Sequence, residues 1–406
     1  MSLPGKFCRR RYDPAVHTNA RDAIRALGAS KIREVANAGM GRAGVLPFWF
    51  GEPDEVTPEF IRRAAVAALD AGDTFYTQNF GIPELREALA AYVTHLHGAR
   101  GAADVALTNS GMSALMLSMQ ALLDPGDRVV AVTPLWPNLI EAPKILGAQV
   151  ATVPLRFGAG GWQLDVDALI DALTPATRML IVNSPSNPTG WVMPRAALRA
   201  VLEHCRRHGI WILADDAYER LFYGSAPGAP APTFLDFATD SDRVVSANTF
   251  SKPWLMTGWR LGWIVAPASL IADIGKIIEY NTSCSPGFVQ RAGLAAVTGG
   301  EPVIQRFAAR LKAARDFLIP RLNELPAVEA VAPAGAMYAF FRVAGMADSL
   351  AFCKTLVAEH GLGLAPGAAF GPAGEGYIRW CFAASHERLA EGVARFAAGL
   401  AAAGKA

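Results

Sequence analysis

Three segments of the chain place polar side chains directly after apolar, β-branched runs. They are NSPSNPTG (183–190) after MLIV, DDAYERLFY (215–223) after WILA, and NTFSKPWLMTGWRLG (248–262) after VVSA. In open α/β sheets ligands gather at the carboxyl ends of the strands. These turns therefore direct an amide (Asn187), a carboxylate (Asp215), a phenol (Tyr218), a lysine (Lys252) and an arginine (Arg260) toward one edge. Read singly, each is a cap or a surface charge; together they converge. Lys252 is flanked by Phe250, Pro253 and Trp254, an apolar setting that disfavours its ammonium form and exposes an amine suited to a Schiff base. Asp215 then suits a pyridinium nitrogen, keeping it protonated so that the ring draws electrons from a carbanion. Asn187 and Tyr218 suit hydrogen bonds to a phenolate-like oxygen.

The same set contains parts for a phosphate. TNSGMSALM (108–116) has a small-residue turn, Ser110-Gly111-Met112, opening a helix, whose free N–H groups and dipole attract an anion. Arg260 and the hydroxyls of Thr249 and Ser251 supply further donors. Read alone, the turn is an ordinary N-cap. Trp136, in TPLWPNL after the run RVVAVT, reads either as a stacking platform for a flat ring or as a core tryptophan.

These side chains need a scaffold, and the rest of the chain describes one. From about residue 80 onward, short apolar runs alternate with longer helix-like segments, the pattern of β-α units around a mostly parallel sheet buried on both faces. Pro83 opens one helix, Pro194 another, and DPGD (124–127) marks a turn. After about residue 295 the sequence becomes Ala-rich and Arg-studded, with short strands around MYAFFRV and GYIRWCFA, which predicts a smaller α+β domain. The first ~54 residues are too few for a core of their own and are expected to pack on that domain. A length of 406 residues fits two associated domains, which we place at 55–295 and at 1–54 with 296–406.

Composition narrows the function. Hydrophobic residues make up 52% and charged residues 18%, against a disordered chain, and every apolar run is interrupted by Pro, Gly or charge, against membrane spans. The net charge of +2 is spread along the chain, with no basic block for nucleic acid. Five scattered cysteines without C-x-x-C spacing (Cys8, Cys205, Cys284, Cys353, Cys381) indicate neither disulfides nor a zinc cluster and fit the reducing cytoplasm. The N-terminal MSLPGKFCRRRYDP lacks an apolar signal core and reads as a solvated arm.

Other motifs fail on context. GMGRAG (39–44) follows a helical pattern and precedes a strand-like one, the reverse of a dinucleotide fingerprint, and reads as a helix C-cap turn. His204 and His208 lie four apart on a predicted helix without a third ligand, so they read as a solvated face and no metal is expected.

The order and spacing of GEPDEVTP (51–58), YTQNFGIPELR (76–86), the Ser-Gly-Met turn, NSPSNPTG, DDAY, SKPWLMTGWRLG and YIRWCF resemble those of the class I/II aminotransferases, fold-type I enzymes that use pyridoxal 5'-phosphate. The resemblance implies an α/β fold with a seven-stranded, mostly parallel sheet, and Lys252 as Schiff-base lysine and proton shuttle. It puts Asp215 on the pyridine nitrogen, Asn187 and Tyr218 on the ring hydroxyl, and Trp136 on the ring face. Ser110, Gly111, Met112, Thr249, Ser251 and Arg260 fall around the phosphate, joined by Tyr76 from the neighbouring subunit of a homodimer. It also implies Arg379 on the substrate α-carboxylate, with Gly51, Trp136 and Asn187 beside the substrate. Thr249 stands where the family usually has Ser or Gly, and its hydroxyl survives. No motif identifies a second cation for an acidic side chain. Trp49 and Phe50 read either as an apolar pocket or as strand packing.

The expected activity is reversible, ping-pong transamination between an amino acid and a 2-oxo acid. The alternatives are a lyase or decarboxylase on the same cofactor, and a noncatalytic ligand-sensing domain, which would need a DNA-binding element not seen in the sequence.

Overall fold

The computed structural model describes residues 20–405; the arginine-rich arm and Cys8 lie outside the described residues. Seven strands form the main sheet: β1 (Val105–Thr108), β2 (Arg128–Thr133), β3 (Gln149–Pro154), β4 (Thr177–Asn183), β5 (Trp211–Asp215), β6 (Val244–Thr249) and β7 (Gly262–Val265). Their spatial order is β1-β7-β6-β5-β4-β2-β3, and all neighbours run parallel except β7, which is antiparallel to both β1 and β6. The two-residue period of a strand sends alternate side chains to opposite faces. Val129 and Ala131 of β2 join one core, Val130 and Val132 the other. Helices Pro83–His97, Arg195–His208 and Gly287–Gly299 cover one face, and Gly111–Leu122, Asn138–Ile145 and Ala268–Asn281 the other. Each buried Val, Leu or Ile contributes roughly 1.5–3 kcal/mol, so strands hydrophobic on both sides are stable only between such layers.

A second sheet comprises β8 (Val328–Glu329), β9 (Tyr338–Val343), β10 (Ala365–Pro366) and β11 (Tyr377–Cys381), all antiparallel in the order β8-β9-β11-β10. Its core includes Phe341, Leu356, Trp380 and Phe396. The N-terminal helix Lys31–Gly39 adds Ile32, Val35 and Ala36 to this core, and Leu46–Pro47 pairs in parallel with Leu362–Gly363. GMGRAG forms the turn that ends that helix, with Gly41 and Gly44 both at φ +78°, a conformation that favours glycine.

One expectation needs correction. His204 is not on a solvated face: it is buried, and its Nε2 donates to the carbonyl of Leu173 at 2.7 Å, while His208 lies beside it on the exposed side. Three residues after Val201 and one before Cys205, it falls on the helix face that packs against the sheet.

Candidate active site

The register of the main sheet lines up the polar strand ends. Asn183 of β4 pairs with Asp215 of β5, Asp215 with Ala247 of β6, and Thr249 of β6 with Gly262 of β7. Asn183 then ties two turns together: its amide donates to the carbonyl of Asp215 at 2.9 Å, and its Oδ1 accepts from the Asn187 N–H at 2.6 Å. Above this row lies a cavity of about 480 Å³. Gly51, Gly111, Met112, Trp136, Asn187, Asp215, Tyr218, Thr249, Ser251, Lys252, Arg260 and Arg379 all line it. Ser110 sits just behind as the N-cap of helix Gly111–Leu122, its hydroxyl accepting from the Ser113 N–H at 3.0 Å. Tyr76 is not part of the cavity; it is 89% exposed on the surface.

Lys252 lies in the turn between β6 and β7, and its Nζ donates to the Gly51 carbonyl at 2.5 Å. Burial pushes its pKa down to about 8; Cys381 opposes this slightly and the Arg379 charge adds to it. The result is an amine with a substantial neutral fraction near pH 8. Asp215 is buried, and among the described residues its carboxylate accepts only from the Ala217 N–H at 3.3 Å. Burial raises it to about 7, tempered by that N–H and by Lys252. The Tyr218 hydroxyl bonds the Tyr338 hydroxyl at 2.6 Å, and burial holds its pKa well above the ordinary phenol value.

The Ser110-Gly111-Met112 turn needs its glycine for space: a Cβ on Gly111 would lie 3.0 Å from the Thr249 Cβ. A Cβ on Gly262 would lie 2.6 Å from the Gly111 nitrogen and so push on the same turn. The Thr249 hydroxyl accepts from the Ser251 N–H at 3.0 Å, and Arg260 hangs from the rim, donating to the Thr257 carbonyl at 2.6 Å. Arg379 reaches in from β11, fully buried. It donates to Asn187 Oδ1 at 2.9 Å and to the Trp49 carbonyl, while its Nε has no partner among the described residues.

Several residues of the site carry no sequence signal. Tyr338 sits in a strand pattern, and only the fold brings its hydroxyl to Tyr218 and to Gly51, where a Cβ would lie 1.8 Å from it. Trp49 turns its ring into the core against Gly39 and Gly363, whereas Phe50 lines the cavity beneath Arg33. The turn carrying Asp215 and Tyr218 is anchored from below by Glu219, which holds His97 Nε2 at 2.9 Å while Asp236 holds Nδ1 at 2.7 Å. Burial opposes charge on His97, but Glu219 and Asp236 outweigh it and raise the pKa to about 10. Among the described residues no helix is long and apolar enough to cross a membrane.

The sequence model of "Aminotransferase class I and II" matches residues 44–396. The chain belongs to that family. An aspartate aminotransferase of Pyrococcus horikoshii is 34% identical over 90% of the chain and 93% of its own length. Among solved structures, a single mutant of Thermus thermophilus aspartate aminotransferase superposes with a TM-score of 0.86 at 32% identity, over 95% of this chain and all of that one. The aromatic aminotransferase of Pyrococcus horikoshii does so with a TM-score of 0.84 at 30% identity, over 92% of this chain and all of that one.

Class I and II aminotransferases work with pyridoxal phosphate, and the cavity fits that group. A buried carboxylate with a single hydrogen bond suits a cationic ring nitrogen, a helix N-terminus backed by hydroxyls suits a phosphate, and a depressed lysine suits a Schiff base.

Proposed function

We propose that Lys252 is the residue on which this aminotransferase turns, with Asp215 and Arg379 as its principal partners, in a reversible exchange of an amino group between an L-amino acid and a 2-oxo acid. The observation that carries this reading is a pKa-depressed amine in one cavity with a buried carboxylate and a buried, partly unsatisfied guanidinium. Asp215 would hold the pyridine nitrogen of the cofactor, Asn187 and Tyr218 its hydroxyl, and Trp136 its face. Ser110, Gly111, Met112, Thr249, Ser251 and Arg260 would hold its phosphate. When bound, pyridoxal phosphate supplies the electron sink that makes a substrate α-proton acidic.

The chain's own residues do the rest. Arg379 presents N–H donors to the α-carboxylate, a planar fork that fixes the substrate's orientation. Asn187 holds that fork in place, and the Gly51 backbone gives the substrate room beside it. Neutral Lys252 Nζ accepts the α-proton and, as an ammonium, gives it back at the far end of the exchange. Because the same amine serves both directions, donor and acceptor use one site in turn, as ping-pong kinetics requires.

The reading extends to assembly. A homodimer in which Tyr76 reaches the partner's phosphate site is supported by the exposure of Phe75 at 83%, Tyr76 at 89% and Tyr280 at 92%, since large aromatics rarely stay in water without a partner. We assign residues 55–295 to the cofactor domain and 1–54 with 296–406 to the smaller one, the latter supported by the shared core of the N-terminal helix and second sheet. Unpaired Cys205, Cys284, Cys353 and Cys381 support a cytoplasmic location.

The test is the visible spectrum of the purified holoenzyme before and after adding aspartate, alanine, an aromatic and a branched-chain amino acid. Conversion of the cofactor band to the pyridoxamine form by a donor, and its return with 2-oxoglutarate, is the expected result. Release of ammonia and pyruvate without an acceptor would replace this reading with a lyase.

A further inference from the structure

The turn between β6 and β7 carries both Lys252 and Arg260, and it bends at two residues that are not glycine. Leu255 has φ +57° and Arg260 φ +55°, left-handed conformations in which a Cβ crowds the following carbonyl and which persist only where the surroundings hold them. The glycine of the turn does not relieve the bend: Gly258 is exposed, with open space where a Cβ would stand. Leu255 has a packing reason for its conformation, since Trp254 and Met256 enter a core of the main sheet while Leu255 between them enters that of the second sheet. Arg260 has no such reason. It is exposed at the rim, makes no ion pair among the described residues and donates to the Thr257 carbonyl of its own turn.

The turn is clasped by a residue about two hundred positions away. Buried Thr57 Oγ1 donates to the Leu255 carbonyl at 2.6 Å and accepts from the Trp259 Nε1–H at 2.9 Å. One hydroxyl thus joins the first bend to the neighbour of the second, which requires a group that donates and accepts at once. Thr57 is itself fixed. Its carbonyl accepts from Arg62 Nε at 3.0 Å, and three residues earlier the Asp54 N–H donates to the Ala383 carbonyl at 3.1 Å while its carboxylate accepts from the Ser385 N–H at 3.0 Å. The lysine end has anchors of its own: the Phe250 N–H donates to the Leu261 carbonyl at 3.1 Å and the Ser251 N–H to the Thr249 hydroxyl. The clasp therefore acts on the arginine end.

We propose that Thr57 is a positioning residue whose hydroxyl sets the Arg260 guanidinium at the phosphate end of the cavity. This rests on the reading of the cavity as a pyridoxal phosphate site. Thr57 does not line that cavity, so it acts through the turn alone, and its loss is felt by the phosphate and not by the ring.

The experiment measures dissociation constants of pyridoxal 5'-phosphate and of pyridoxal, which lacks only the phosphate, by absorbance titration of the cofactor-free full chain. Wild type, Thr57→Val and Thr57→Ser are compared. Thr57→Val keeps the shape of the side chain and removes the hydroxyl. It should weaken pyridoxal phosphate about tenfold, the size of one lost hydrogen bond to a charged group, and leave pyridoxal within about twofold. Thr57→Ser should bind both as the wild type does. Trp259→Phe, which removes the other half of the clasp, should show the same selective loss and decides the question if the valine variant does not fold. Equal losses for the two ligands, or an unchanged affinity for pyridoxal phosphate, would overturn the proposal. Failure of the cofactor reading is seen separately: the wild type then binds neither molecule, and the proposal falls with it.

Discussion

Arg379, on the second sheet, donates to Asn187 Oδ1, on the turn after β4, at 2.9 Å. This bond joins the substrate's proposed clamp to the cofactor's proposed wall. A lysine at 379 cannot reach Asn187, the Trp49 carbonyl and a carboxylate together. Arg379→Lys is therefore expected to raise KM for the amino donor roughly 10- to 100-fold, as the loss of one charged hydrogen bond of about 1.5–3 kcal/mol implies. The dissociation constant of pyridoxal phosphate should stay nearly unchanged. Steady-state kinetics beside a cofactor titration separates the two effects, and equal losses in both would contradict the assignment.

The amine of Lys252 reacts only when neutral, and burial brings its pKa down to about 8. The neutral fraction is small below that pH, rises through it and levels off above. The rate at which the cofactor-free protein captures pyridoxal phosphate, followed by visible absorbance, should climb from pH 6 to about pH 9 and then flatten. A rate that falls over that range would refute the role. Lys252→Ala should lower kcat by at least ~10³.

Asp215 needs its charge to hold a pyridinium nitrogen, and burial raises its pKa to about 7. Below that value the carboxyl is protonated and above it ionised, so affinity for the cofactor should weaken as pH falls from 8 to 6. Asp215→Asn should remove that component of the pH dependence and reduce kcat by roughly 10²–10⁴, the size of a lost electrostatic contribution. Cofactor titrations of both proteins at several pH values provide the check.

Gly51 leaves room for the Tyr338 hydroxyl, which would lie 1.8 Å from an added Cβ. Gly51→Ala should displace Tyr338, break its bond to Tyr218 and cost about 1–3 kcal/mol of stability, the usual range for overpacking. In Gly51→Ala/Tyr338→Phe the worst clash is gone, so thermal melting should recover part of the loss. Simple additivity of the two changes would show that they do not meet.

The main sheet and its carboxyl edge were legible because strand, turn and chemistry coincide there: an apolar run ends, and a polar group follows within a few residues at Asn187, Asp215 and Lys252. The phosphate turn was legible for the same reason. Tyr338 was not, because its partner lies 120 residues away and a tyrosine in MYAFFRV looks like any strand aromatic. Arg33 was missed because an arginine in the first turn of a helix gives no hint of the Phe50 ring beneath it. The burial of His204 had a signal, the spacing from Val201, which the pairing with His208 obscured. Tertiary contact, not local pattern, decides such residues.

The cavity wall is divided among three stretches of chain, one of them the second sheet, which brings Tyr338 and Arg379. The turns of the main sheet bring the lysine, the acid and the phosphate donors, while residues 30–51 bring Ser30, Arg33, Phe50 and Gly51. Within the N-terminal stretch, the backbone carbonyls of Trp49 and Gly51 hold Arg379 and Lys252, whereas the side chains of Arg33 and Phe50 form wall alone. A laboratory library at Ser30, Ile32, Arg33 and Phe50 would therefore vary the cavity wall while sparing Gly51, whose carbonyl meets Lys252 and whose missing side chain leaves room for Tyr338.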